Sequence, residues 1–372
     1  MSKRESKLRG SNFREISDDL VWHLNRACQH YISKHSPSDR DVWRGDAEIP
    51  IAAVHYLDKH LLSKYNDPNG KVTPEDRRQA AIVKWLGVES RNRRTNARIT
   101  STNPMIKLTP NQTVNGVYVP AIKLSAWDLL FQARTIVARV LGTCPTDDAL
   151  ADFLIEGGGF TSGASTSKRR SLDNLARKFT ERMDATPSLL RLLHMSDFGR
   201  VFPGWREIAS EGFNDPRLVK GNILFTVPKN AEIDRVACKE PDLNLYCQKS
   251  VGNHIRERLK RFGVNLNDQT RNQRLAQLAY KRQLATIDLS SASDSLTVEL
   301  VRQLVSPDWF QLLMALRSPK TFIDGASHSN AMISSMGNGF TFELESLVFY
   351  ALAKSIQDAY RTFGLSSHEM AA

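Results

Sequence analysis

The feature that most constrains this chain is a change of pattern near Gly221. Before it, the chain alternates helical and loop-like segments with few strand-like runs. From Leu224 it breaks into short runs, FTVPKN and then LATIDLS, set between turns and followed by further helical stretches. A chain carrying both periods reads as α+β with a mostly helical N-terminal half. Its 372 residues exceed the usual size of one domain, so one large subdivided core or two to three packed lobes are expected. The pattern divides the chain at 1–223, 224–283 and 284–372.

Local chemistry places individual elements. Thr73-Pro74-Glu75-Asp76 starts a helix, with Thr as N-cap, Pro in the first turn and acids at the positive end of the dipole. This helix runs through Trp85 towards Ile99. Its far end carries Arg91, Arg93, Arg94 and Arg98, which either face a polyanion or only complement the helix C-terminus. Asp294 or Ser295 can cap a helix over 296–305, Ser306-Pro307-Asp308 opens another as far as Leu316, and a third begins after Gly339. Asp324-Gly325 reads as a hairpin turn. Residues 157–171, GGGFTSGASTSKRRS, combine flexible backbone with Lys168, Arg169 and Arg170. They read as a phosphate cradle or a mobile surface loop, and the spacing of a Walker loop is absent.

Composition narrows the class. The excess of 51 Lys and Arg over 40 Asp and Glu, +11 in all, favours a polyanionic partner through counterion release. Cys28, Cys144, Cys238 and Cys247 lie far apart without a C-x-x-C pair, which argues against a disulfide framework and a zinc site. His23, His30, His35, His55 and His60 lack zinc-ligand spacing. MSKRESKLRG is basic, but the apolar stretch of a signal peptide does not follow it. The most apolar helical stretch, 127–141, is interrupted by Arg134 and Arg139, so no membrane span is expected.

Three segments carry chemistry. In 284–295, LATIDLSSASDS, Asp288 stands at the end of a buried apolar strand and Asp294 at a helix start. A carboxylate at a strand's end can hold Mg2+, which takes carboxylate oxygens together with phosphates and water; the plain alternative is a surface acid and an N-cap. In 334–349, SSMGNGFTFELESLVF, Gly337-Asn338-Gly339 makes a loop before a helix on which Thr341 and Glu345 lie one turn apart. Such a loop admits close approach of a ligand to the backbone, or only caps the helix. In 227–241, VPKNAEIDRVACKEP, Lys229, Arg235 and Lys239 are spaced so that they can converge on a triphosphate, or only solubilise an exposed strand.

The stretches FTVPKNAEIDR, GVNLNDQTRNQRLA, ATIDLSSASDS and SSMGNGFTFELESLVF occur in the order and at the intervals of a known family. From about Ala80 to Tyr350, and most closely after Gly221, the chain resembles the replicase β subunit of small single-stranded RNA bacteriophages, an RNA-directed RNA polymerase. The resemblance implies a right-hand polymerase, here fingers and a partial palm without a thumb. Motif A then falls at Asp288, motif B runs from Gly337 to Glu345, and Lys229, Arg235 and Lys239 are basic fingers residues. It implies that Asp288 is catalytic and binds Mg2+, with two ions in the complete enzyme. Asp294 would contact the ribose 2′-hydroxyl of the incoming nucleotide, and Gly337 and Asn338 would form the mobile loop beside the nascent base pair. The chemistry implied is attack of an RNA 3′-hydroxyl on the α-phosphate of a nucleoside triphosphate, with loss of pyrophosphate. Two positions depart from the wider polymerase pattern: Met336 precedes Gly337 where Ser-Gly is common, and Glu345 takes the place of an Asn. Asn338 is a candidate substitute for that Asn.

The family's Gly-Asp-Asp turn does not follow motif B before SSHEMAA, and a lone Asp288 cannot hold two divalent ions at the short separation the mechanism needs. Asp18-Asp19 and Asp147-Asp148 look like helix starts. The expectation is therefore a fragment or truncated product of a polymerase, inactive alone. The alternatives are a non-catalytic RNA-binding protein and a split enzyme completed by a separate thumb and metal turn. By resemblance, the partners are an RNA template, nucleoside triphosphates and, in the cytoplasm of a bacterial host, elongation factors Tu and Ts and a ribosomal protein, with no membrane.

Overall fold

The computed structural model describes residues 72–109, 111–114, 117–168, 177–178, 181–195, 216–230, 232–268, 270–282, 284, 287 and 289–363. Asp18-Asp19, Arg169, Arg170 and Asp288 lie outside them. The chain divides into two compact units. The first takes in, of the described residues, 72–77 and 228–234; the second is Arg78–Val227 with Arg235–Ala372. In the first, Thr73 and Asp76 cap each other as expected: Asp76 N–H donates to Thr73 Oγ1 (3.1 Å), and Thr73 N–H donates to Asp76 Oδ2 (2.8 Å). This starts α1 (Pro74–Ser101). Arg77 pairs with Asp234 at 3.5 Å, and Asn230 Oδ1 accepts from the Glu232 and Ile233 amides, closing the turn after Pro228.

The second unit is built on buried helices. Short strands β1 (Met105–Lys107) and β4 (Lys123–Ser125) pair antiparallel, as do β2 (Gln112–Val114) and β3 (Val117–Val119). Then follow α2 (Ala126–Leu141), α3 (Asp147–Glu156), β5 (Asp184–Ala185), α4 (Pro187–Met195) and β6 (Arg217–Leu218). Next come β7 (Asn222–Pro228), β8 (Asp234–Lys239), α5 (Asp242–Arg261), α6 (Thr270–Gln277) and α7 (Ala279–Arg282). The remainder is α8 (Val298–Leu304), α9 (Pro307–Leu316), β9 (Lys320–Ile323), β10 (Ala326–Ser329) and α10 (Thr341–Thr362).

Helix α5 is the spine, because Leu243, Cys247, Val251, Ile255 and Leu259 recur every fourth residue and are all buried. They pack in one core with Trp309, Leu313 and Leu316 of α9 and Leu344, Leu347 and Val348 of α10. Each such side chain contributes roughly 1.5–3 kcal/mol of burial. A four-stranded sheet, in the order β10-β9-β7-β8, packs with α1 around a second cluster of Ile82, Trp85, Leu224, Cys238 and Met332. Strands β9 and β10 are antiparallel and turn at Asp324-Gly325, whose φ angles of 49° and 86° suit a tight hairpin; β7 runs parallel to β9. No described helix is long and apolar enough to cross a membrane.

Several expected elements are present. Ser306 caps α9, α10 begins just after Gly339, and α3 opens at Asp147-Asp148. Four expectations are corrected. The cap of α8 is Thr297, whose Oγ1 accepts from Leu300 N–H at 3.2 Å, because Asp294 and Ser295 are taken up in a short 3-10 turn, Ser293–Ser295. LATIDLS is not a buried strand at its described residues: Leu284, Ile287 and Leu289 are 43%, 81% and 47% exposed. An apolar run becomes a buried strand only when neighbours take its backbone groups, and no described strand pairs with it. The described part of the glycine-rich loop is pinned and not a free surface loop. Ser165 and Ser167 donate to the two oxygens of Asp242 (2.5 and 2.6 Å), and Lys168 pairs with Glu181 (2.6 Å). Finally, β1 to β4 precede Gly221; at three residues each, they are too short to show a period in sequence.

Candidate functional site

Strand β8 and the glycine loop meet. Residues 235, 237 and 239 lie on one face of β8, so exposed Arg235 and half-buried Lys239 share a side, while Val236 and Cys238 face the Trp85 cluster. Lys239 Nζ sits 5.4 Å from the centre of the Phe225 ring on neighbouring β7. Cys238 N–H donates to the Met336 carbonyl at 2.7 Å, which joins the basic strand to the loop. Gly337 has φ +108°, and a Cβ there would lie 2.2 Å from the Cys238 carbonyl oxygen, so only glycine lets the loop close on the strand. Asn338 is buried. Its Oδ1 accepts from Phe340 N–H at 3.0 Å, while its Nδ2 has no hydrogen-bond partner among the described residues. Thr341 Oγ1 donates to the Ser335 carbonyl at 2.9 Å and shares a hydrogen bond of 2.8 Å with Ser334 Oγ, tying the first turn of α10 to the segment before the loop.

A group of carboxylates adjoins this junction. Burial, and then repulsion from Glu89, push the Asp294 carboxyl up to about 6, against the pull of Lys84. Burial and then Asp294 raise Glu345 as well. The Cys238 thiol is raised by burial, then by Glu240, with a smaller contribution from Asp294. Asp294 therefore lies within electrostatic reach of Glu345 on α10 and of Cys238 under the loop. Its backbone carbonyl is held by Asn92 Nδ2 at 2.7 Å. Glu89, on the same face of α1, accepts from the Ala331 and Met332 amides at 2.7 and 2.9 Å, and Asn96 Nδ2 donates to the Ala331 carbonyl at 3.1 Å. Helix α1 thus clasps the Asp294 turn and the approach to the loop.

Gly337 lies against Cys238 of the strand that carries Arg235 and Lys239, Asn338 follows it in the loop, and Asp294 lies within electrostatic reach of Cys238. Lys229 is exposed in the turn of the first unit, and Asp288 lies outside the described residues. Among the described residues, no group of three or more His, Cys, Asp or Glu is placed to hold a metal ion. Those residues alone therefore do not fit a metal centre. Sequence reasoning missed Glu89, Glu240 and Gln248. The signal for the first was available: Glu89, Asn92 and Asn96 fall at i, i+3 and i+7, a polar stripe on a helix that also carries buried Trp85 and Val88.

Comparison with known proteins shows the family. The family described as RNA replicase, beta-chain, matches residues 15–362. The RNA-directed RNA polymerase beta chain of Enterobacteria phage fr is 36% identical over 372 residues, covering 98% of this chain and 61% of that protein. The RNA-directed RNA polymerase subunit beta of Escherichia virus Qbeta is 33% identical over 306 residues, covering 82% of this chain and 47% of its own length. The corresponding beta chain of Enterobacteria phage GA is 54% identical over 157 residues, 41% of this chain and 30% of its own. The chain spans less than two thirds of the length of these relatives. A match that takes in nearly all of the sequence leaves one assignment: the chain belongs to the RNA replicase beta-chain family.

Proposed function

We propose that this chain forms the fingers and part of the palm of a right-hand RNA polymerase. Its role is template-directed RNA synthesis from nucleoside triphosphates, replicating a viral genome in the cytoplasm of a bacterial host. The observation that supports this most is the Cys238–Met336 junction, which sets a glycine loop against a basic strand and beside a desolvated Asp294. Arg235 and Lys239 would neutralise the triphosphate, and backbone donors of the loop would lie against the nascent base pair. The half-buried Asp294 carboxylate can accept a hydrogen bond from a ribose 2′-hydroxyl, which a deoxyribose cannot donate, and this is a physical basis for choosing ribonucleotides. Asn338, with its idle Nδ2, is the second candidate for a sugar or base contact.

Magnesium is proposed on Asp288. When bound, it would neutralise the phosphates and favour departure of pyrophosphate. Elongation factors Tu and Ts and a ribosomal protein are proposed as host partners.

The test is direct. The purified chain should bind RNA and Mg·GTP without elongating a primer, because one carboxylate cannot hold two ions. Mg2+-dependent, template-dependent incorporation that Asp288→Asn abolishes would falsify the inactivity. Asp294→Ala should erase the preference for GTP over dGTP. If RNA affinity depends on salt while neither nucleotide nor metal changes anything, the chain is a non-catalytic RNA-binding protein instead.

A further inference from the structure

The Gly337–Gly339 loop is fastened by side chains that the proposed reaction does not use. Gln248 is fully buried on α5. Its Oε1 accepts the Gly339 N–H at 3.0 Å, and its Nε2 donates to Glu240 Oε2 and to the Leu316 carbonyl, both at 3.0 Å. Glu240 in turn receives Asn222 Nδ2 at 2.6 Å and Ser318 Oγ at 2.7 Å. The contact is close because α5 carries a glycine there: a Cβ on Gly252 would lie 2.3 Å from the Gly339 carbonyl oxygen.

The two ends of an amide are chemically different, and this decides its orientation. Glu240 and the Leu316 carbonyl both accept, so they take the Gln248 NH2 and leave only Oε1 for the Gly339 N–H. Glu240 is itself fixed by two further donors, and a buried network satisfied at every bond has one arrangement. Gly339 is thereby set in place, and Asn338 beside it, with its Oδ1 on the Phe340 amide. Two backbone bonds also tether the loop, Cys238 N–H to the Met336 carbonyl and Asn338 N–H to the Ser335 carbonyl.

We propose that Gln248 is a positioning residue for the Gly337–Gly339 loop and that Glu240 holds Gln248 in the orientation that makes it one. The proposal rests on the polymerase reading only for its link to nucleotide binding. Gln248 touches no reacting atom; it acts through the loop.

Hydrogen exchange by mass spectrometry on the full chain tests this, together with Mg·GTP titration. Gln248→Met keeps the volume and loses the polar ends. Loop amides over 337–341 should then exchange about tenfold faster, with β8 and α5 unchanged, and Mg·GTP affinity should fall by a similar factor. Ser318→Ala, which removes one donor from Glu240, should give a smaller change in the same direction and serves if Gln248→Met does not fold. Unchanged loop exchange overturns the proposal, and so does acceleration spread equally over β8 and α5, which marks a merely structural role. A loosened loop with unchanged Mg·GTP affinity overturns the link to nucleotide. If the wild type binds no Mg·GTP, the polymerase reading is what fails, and loop exchange alone decides the role of Gln248.

Discussion

Asp294→Asn should stabilise the protein at neutral pH, although Asp294 is proposed to contact substrate. Its carboxyl is buried beside Glu89, which moves its ionisation from 3.8 to about 6. At about 1.36 kcal/mol for each tenfold change in acidity, that displacement corresponds to roughly 3 kcal/mol against the ionised form, and 1–3 kcal/mol once the site relaxes. The sign follows from the raised value. Well below pH 3.8 the group is neutral in folded and unfolded chains and carries no penalty. As pH rises from 3.8 to about 6, the unfolded chain gives up this proton while the folded chain keeps it, so stability is lost, and above about 6 the loss is complete. Asn removes that charge. Urea denaturation of wild type and Asp294→Asn at intervals between pH 4 and pH 8 should show the variant ahead by about 1–3 kcal/mol at pH 7.5, with the gap closing towards pH 4. A variant less stable than wild type at pH 7.5, or a gap independent of pH, would refute the burial and Glu89 argument. A gain in stability from losing a charge marks a position kept for function.

Other outcomes follow from the same contacts. Glu89→Ala orphans the Ala331 and Met332 amides and should cost about 3 kcal/mol in urea melts, while the Asp294 carboxyl falls towards its ordinary value when followed by NMR titration. Gly337→Ala combines a positive φ with a Cβ 2.2 Å from the Cys238 carbonyl oxygen, so it should cost at least about 2 kcal/mol and lower Mg·GTP affinity; a neutral effect would mean that the loop closes differently on β8. Thr341→Val deletes hydrogen bonds to Ser334 and Ser335 and should lower stability by about 1 kcal/mol, read as a shift of the urea midpoint with unchanged slope.

What the sequence determined by itself is whatever one or two turns of chain can decide. Thr73 and Asp76 cap a helix because their partners are three residues apart, Ser306 caps α9 for the same reason, and Asp324-Gly325 turns a hairpin through its own backbone preferences. The glycines of the loop and the basic residues of β8 were legible as types, and the order of four characteristic stretches pointed to the family. Tertiary structure decided the rest, because the partners are remote in sequence. Glu89 meets amides 242 and 243 residues away, and Gln248 meets one 91 residues away. LATIDLS has the apolar residues of a buried strand, yet Ile287 is exposed, since burial needs neighbouring strands to take up its backbone. Asp294 read as a helix cap and became instead a half-buried carboxyl within electrostatic reach of Glu89 and Glu345, because only the packing of α1 and α10 brings those acids near it. Charge type can be read along a chain; dielectric and distance belong to the fold.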